Sequence, residues 1–204
     1  MSATLFLEGG GTGPDSKGLQ SRCREGYRML LEKCDFRGRM PRLVACGGRG
    51  NAFDDFKTAH RNKAPGDYVA MLIDSEDPLA DLEATWEHLR PRPGDNWERP
   101  QAATDDQVLL MTTCMETWIV ADREALRKHY GSRLQNSALP PLTDLEARGR
   151  HDVQDKLAHA TRNCANAYTK GKRSFQVLAK LTPAVLEEHL PSFVRTRRIL
   201  NDNL

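Results

Sequence analysis

The 204-residue chain contains no apolar run approaching the ~18–20 residues of a transmembrane helix, so no membrane association is expected. Met1-Ser2-Ala3-Thr4 offers neither a basic n-region nor a cleavage site, and a cytoplasmic location is the expectation. Cysteine is sparse and unpatterned: Cys23, Cys34, Cys46, Cys114 and Cys164 form no C-x-x-C pair. That removes the zinc-ribbon and thioredoxin-like readings and fits a reduced compartment. The six histidines include no H-E-x-x-H and no i, i+4 pair, so a histidine-based metal site has no support. Nucleotide signatures are also incomplete. The Gly-rich segment 9–18 (G-G-G-T-G-P-D-S-K-G) is not a P-loop, because Lys17 is followed by Gly18, and no dinucleotide fingerprint is completed downstream. There is no internal repeat.

What is present is charge, unevenly distributed. The net of +2 conceals three unlike segments. Residues 1–63 carry 12 basic and 7 acidic side chains (+5), residues 64–149 carry 8 and 16 (−8), and residues 150–204 carry 10 and 5 (+5). An acidic centre between basic flanks suits a metal site surrounded by phosphate-binding surface; scattered solvated charge is the competing account.

Strand-like and helix-like segments alternate through the first two-thirds. Short apolar runs at Thr4–Glu8, Arg42–Cys46, Asp67–Ile73 and Gln107–Thr112 read as strands. Between them, Asp15 or Ser16 is expected to cap a helix burying Leu19, Cys23, Tyr27, Leu30 and Leu31. Asn51 is expected to cap one with Phe53, Phe56 and His60 on a single face. Pro78 opens a further helix bearing Leu79, Leu82 and Trp86, and Met115–Tyr130 reads as another. The expected fold is α/β, with a mainly parallel four-stranded sheet flanked by helices over residues 1–130. Residues 131–204, a loop followed by short helices at 151–163, 174–180, 183–189 and 191–200, are expected to pack on that same domain. The segment 90–104, rich in Pro, Gly and Arg, reads as a surface loop with Trp97 as its anchor or as a contact residue.

Acidic residues collect where strands end: Glu8 after the first, Asp74, Glu76 and Asp77 after the third, Glu116 after the fourth. Ligands bind parallel sheets at the carboxyl ends of their strands, and clustered carboxylates repel unless protonated or bridged by a cation such as Mg²⁺ or Mn²⁺. Asp74 and Glu76, two apart, point the same way if the strand continues past Asp74. Otherwise Asp77 is simply a helix cap and Glu8 an isolated strand-end charge. Gly47-Gly48-Arg49-Gly50 repeats the glycine theme, with Arg49 a candidate phosphate contact. Lys170, Lys172 and Arg173, in Y-T-K-G-K-R, form a candidate clamp for a nucleic-acid backbone, and a second basic run follows at Arg195-Thr196-Arg197-Arg198.

The L-E-G-G-G opening, L-I-D-S-E-D-P, and M-E-T-W-I-V-A-D with the later H-Y-G and Y-T-K-G-K resemble a bacterial domain-of-unknown-function family assigned to the Toprim-like group. The resemblance runs from about Leu5 to Leu200. It implies a compact α/β unit that binds Mg²⁺, with Glu8 at the family's glutamate and Asp74 and Glu76 at its D-x-D, here D-S-E. Glu116 is a further candidate ligand by position. Relatives include overcoming-lysogenisation-defect-type nucleases and proteins encoded beside ABC- or SMC-like ATPases in anti-phage systems. The resulting expectation is a Mg²⁺-dependent nuclease acting on DNA or RNA, the effector of a defence system with an ATPase partner, with homo-oligomerisation open. Glu8, Asp74 and Glu76 would be its catalytic residues. The alternatives are a noncatalytic subunit binding such an ATPase and, behind it, small-molecule phosphotransfer at the Gly-rich turn.

Overall fold

In the structure, a computed structural model describing residues 2–14 and 16–204 with every side chain but that of Lys172, strands and helices alternate as their hydrophobic patterns dictate. β1 (Ala3–Gly10), α1 (Ser16–Leu31), β2 (Arg42–Gly47), α2 (Arg49–Asn62), β3 (Tyr68–Asp74), α3 (Thr85–Leu89) and β4 (Val108–Met111) build a four-stranded parallel sheet in the order β2-β1-β3-β4. All seven residues of β3 are buried, as a central strand covered on both faces requires. Alternation along β1 divides the core: Leu5 and Leu7 face one layer, Phe6 the other.

The chain continues through α4 (Met115–Ala121), α5 (Arg123–Tyr130), α6 (Arg150–Thr161), α7 (Lys172–Leu178), α8 (Pro183–His189) and α9 (Pro191–Asn203). These helices join α1 on the Leu5/Leu7 face, where Tyr27, Trp118, Leu157, Leu178 and Phe193 share one core with Leu72 and Leu109. The Trp118 and Phe193 rings meet at right angles, with centroids 4.9 Å apart. Burying each such large side chain stabilises the fold by about 1.5–3 kcal/mol before entropy is counted. On the other face α2 and α3 lay Phe53, Phe56 and Trp86 over Met71 and Ile73. All five cysteines are free and buried. Among the described residues no helix is long and apolar enough to cross a membrane.

Several local expectations are corrected. No helix starts at Pro78: residues 75–84 are irregular and α3 begins only at Thr85. Beyond the strand, the Ser75 and Glu76 amides donate to Met111 and Thr113 carbonyls at 3.0 and 2.8 Å, so this backbone still serves the sheet edge. Trp86 N–H finds its acceptor in Asp105, 3.0 Å away, a cap supplied from 19 residues downstream. Asp77 therefore caps nothing there; it meets Arg92 at 3.2 Å. Met115–Tyr130 is two helices, because Asp122 leaves helical geometry (φ −93°, ψ 86°) and accepts from the Ala125 and Thr182 amides, both at 2.9 Å. α2 starts two residues before Asn51, whose side chain instead donates to the Cys46 carbonyl at 3.1 Å. The Asp15 cap lies outside the described residues. Trp97 is the anchor of its loop, stacked on Phe53 at 4.3 Å.

Candidate metal centre

The strand order places the site. From β1 the chain crosses outward to β2, then back past β1 to β3 and onward to β4, so the connections diverge at the carboxyl ends of β1 and β3. Glu8 stands near the end of β1 and Asp74 ends β3. A bulge at Gly9/Gly10 opposite Gly47 finishes the β1–β2 pairing. Side chains are barred at these turns. Gly10 has φ +98° and a Cβ there would lie 2.7 Å from Gln20, while at Gly47 (φ +81°) it would lie 2.6 Å from the Gly11 carbonyl oxygen.

The two carboxylates are fixed by backbone amides. Glu8 Oε2 accepts from Asp74 N–H at 3.0 Å, and Asp74 Oδ1 accepts from Met115 N–H at 2.8 Å, at the first turn of α4. Glu76 joins them by a different route from the one its spacing implies. The strand stops at Asp74, and Glu76 adopts φ +71°, a turn that swings its side chain back. One carboxylate oxygen from each of Glu8, Asp74 and Glu76 then lies within 4.8 Å of the others. Burial pushes the Asp74 carboxyl well above the ordinary aspartate range, and repulsion from Glu8 and Glu116 adds to it. Burial also raises Glu8, against the opposing charge of Arg49 and the Asp74 hydrogen bond.

Glu116, the fourth candidate ligand, stands outside that trio. It is fully buried, and its two oxygens are taken by the Tyr168 hydroxyl and, at 3.1 Å, by the Gln154 amide. It nevertheless lines the same cavity of about 360 Å³ as Glu8 and Asp74, floored by Gly9–Gly11 and Gly47 and walled by Leu19, Met115 and Phe175. Lys170 also lines this cavity, from an exposed turn.

The other proposed phosphate contacts fare unequally. Arg49 is committed inside the molecule: it grips Asp95 with contacts of 2.8–3.2 Å, donates to the Asp74 carbonyl, sits 3.9 Å from Glu8 and lies over the Trp97 ring. Its donors brace the cluster instead of facing a ligand. Arg173 donates to the Ala167 carbonyl and so holds the 167–173 turn. The Lys172 side chain lies outside the described residues. Arg195, Arg197 and Arg198 pair with Glu83, Glu187 and Glu83 respectively, so that basic run is an internal tie between α9 and its neighbours.

Two arginines that the sequence did not single out reach the cluster. Arg92 Nη2 lies 3.4 Å from Glu76 Oε2, and Arg150 Nη1 contacts the same oxygen. Nothing in the local pattern marked them, since one sits in a Pro-Gly loop and the other opens α6. Only their approach to Glu76 distinguishes them. The donor set of Glu8, Asp74 and Glu76 is all carboxylate oxygen, hard and anionic, which suits Mg²⁺ or Mn²⁺ better than a softer metal.

A family model described as "Domain of unknown function (DUF4276)" matches residues 22–200. No curated protein and no solved structure shows significant similarity to the chain.

Proposed function

The chain belongs to the DUF4276 family, and we propose that it is a Mg²⁺- or Mn²⁺-dependent nuclease of Toprim type that hydrolyses phosphodiester bonds of DNA or RNA. The observation that carries this reading is the convergence of Glu8, Asp74 and Glu76 oxygens within 4.8 Å at the switch point of a parallel sheet, two of them partly or fully buried with raised affinity for protons. Arginines offset part of this charge at Glu8 and Glu76, but Asp74, buried between Glu8 and Glu116, has no ion pair among the described residues. A divalent ion held there supplies Lewis-acid charge for the scissile phosphate and an activated water.

The chain's own residues do the rest. Asp74 is held by the Met115 amide and Glu8 by the Asp74 amide, so neither carboxylate must reorganise on loading. Arg49, clamped by Asp95, offsets charge beside Glu8 without occupying a ligand oxygen at bonding distance. Lys170, exposed at the cavity, is the candidate contact for a backbone phosphate. Tyr168 and Gln154 bind Glu116 and so tie α6 and the 164–171 turn to α4 beneath the site. An ATPase partner and a defence role are proposed with the nuclease activity on the Toprim resemblance alone.

Metal-dependent cleavage of labelled DNA and RNA tests the reading, alongside Mn²⁺ titration by calorimetry. Glu8→Gln and Asp74→Asn are expected to lower cleavage by at least about 10²-fold and to abolish Mn²⁺ binding. Variants that cleave like wild type sink the proposal. A second reading, a noncatalytic subunit, draws on the arginines that already face Glu8 and Glu76; a wild-type protein without any Mn²⁺ response would favour it.

A further inference from the structure

The cations around the cluster fall into two kinds. Arg49 is locked, with several short contacts to Asp95 and one to the Asp74 carbonyl. Arg92 is held loosely, by three carboxylates (Glu76, Asp77 and Asp95) at 3.4, 3.2 and 3.3 Å. Arg150, whose side chain is 34% exposed, has Glu76 as its described carboxylate partner. Both Arg92 and Arg150 converge on a single oxygen, Glu76 Oε2. Arg92 keeps Asp77 and Asp95 besides Glu76, whereas Arg150 depends on Glu76, and that carboxylate also belongs to the trio that converges with Glu8 and Asp74.

We propose that Arg92 and Arg150 are the principal phosphate-gripping pair of this site, held by Glu76 until the carboxylate turns to a bound cation and then released to the substrate backbone. This rests on the metal-dependent nuclease reading and adds to it the residues that bind the substrate. The exchange is chemically even-handed. Guanidinium pairs with phosphate oxygens through the same charge-assisted, forked hydrogen bonds it makes to carboxylate, so when Glu76 turns away Arg150 loses its described carboxylate partner and Arg92 one of three, and a phosphate takes the vacated place. Arg92 comes from the 90–104 loop, Arg150 from the start of α6, and Lys170 from the turn before α7. The pair meets the cluster at Glu76, whereas Lys170 lines the cavity beside Glu8 and Asp74. A strand crossing the carboxylates would thus find cations on both the Glu76 and the Glu8 sides. It also follows that Glu76 is shared between two tasks, so metal and arginine compete for it.

That competition makes the test two-sided. Arg150→Gln, which removes a cation from Glu76, is expected to bind Mn²⁺ as tightly as wild type or several-fold more tightly by calorimetry. The same variant is expected to bind a fluorescein-labelled oligonucleotide in Ca²⁺ roughly tenfold more weakly by anisotropy, and to lower the slope of log affinity against log salt by about one. Arg150→Lys, which keeps the charge and loses the fork, should recover the slope and only part of the affinity. Arg150→Gln and Arg92→Gln proteins that bind the oligonucleotide with wild-type affinity and slope, while wild type cleaves normally, overturn the arginine assignment and leave the nuclease reading standing. An Arg150→Gln protein that loses Mn²⁺ binding together with thermal stability marks a structural brace and also overturns it. A wild-type protein that neither binds Mn²⁺ nor cleaves overturns the nuclease reading itself.

Discussion

Arg195 and Asp74 are equally buried, at 5% and 6% exposure, and lie at opposite edges of the same parallel sheet. At the amino-terminal edge, Arg195 of α9 donates to the Val108 and Asp105 carbonyls, both at 3.0 Å, and to Glu83 at 3.1 Å. Its charge and its fork are satisfied by partners of opposite sign. At the carboxyl-terminal edge, Asp74 accepts one backbone hydrogen bond while Glu8 and Glu116 press on it with like charge. A buried charge that its surroundings complete is a brace; one that its surroundings repel is waiting for something the chain does not supply. Burial alone separates nothing here. The sign of the neighbours does.

The contrast is broken most directly by removing the brace. Arg195→Ala leaves two carbonyls and Glu83 without their donor, and is expected to cost about 3–5 kcal/mol in denaturant unfolding, with cleavage per folded molecule unchanged. Glu146 is an intermediate case: a carboxyl pushed up to about 7 by burial, although Ser192 hydrogen-bonds to it through its amide and hydroxyl. Because the folded state holds its proton more tightly, the stability it contributes is full below 4.5 and is lost as pH rises toward about 7. Glu146→Gln keeps an acceptor for Ser192, so it should flatten that stretch of the stability–pH curve. A gain on the order of 1–2 kcal/mol at pH 8 is expected, and an unchanged curve would show that burial does not govern this group.

The smallest effect sharpens the comparison at the site. Asp74→Asn removes an ionisable group whose charged form is opposed by burial and by Glu8 and Glu116, while keeping an oxygen for the Met115 amide. Without metal the variant is expected to be more stable than wild type by about 1 kcal/mol, a rise of ~2–4 °C in Tm for a chain of this size. Addition of Mn²⁺ should then shift the melting of wild type but not of the variant. A destabilised variant would mean that Asp74 is a brace like Arg195, and the distinction between the two edges would collapse.

Much of this was legible before folding. Short apolar runs, the first two stopped by glycine, marked all four strands to within two residues, and the strand ends singled out Glu8 and Asp74. The D-S-E spacing brought Glu76 in for an incomplete reason: the strand stops at Asp74, and a turn at positive φ, not extended backbone, returns the side chain. The Pro78 helix failed because a proline and an apolar spacing describe what a helix tolerates. Whether the amides there bond to their own segment or to Met111 and Thr113 depends on β4 and the residues just after it, distant in sequence and adjacent only in the folded chain. Arg49 was assigned to phosphate because a Gly-rich turn bore it; Asp95, from a loop without any pattern of its own, claimed it.

The division follows from the range of the forces. Periodicity and turn chemistry act over a few residues, so the sequence by itself determined a parallel α/β sheet and the carboxylates at its switch point. Charge pairing depends on distance in space and on burial, neither of which has a local signature. Only the tertiary structure therefore decided that Arg49 is locked by Asp95, that Glu116 is bound by Tyr168 and Gln154, and that Arg92 and Arg150 share one oxygen of Glu76.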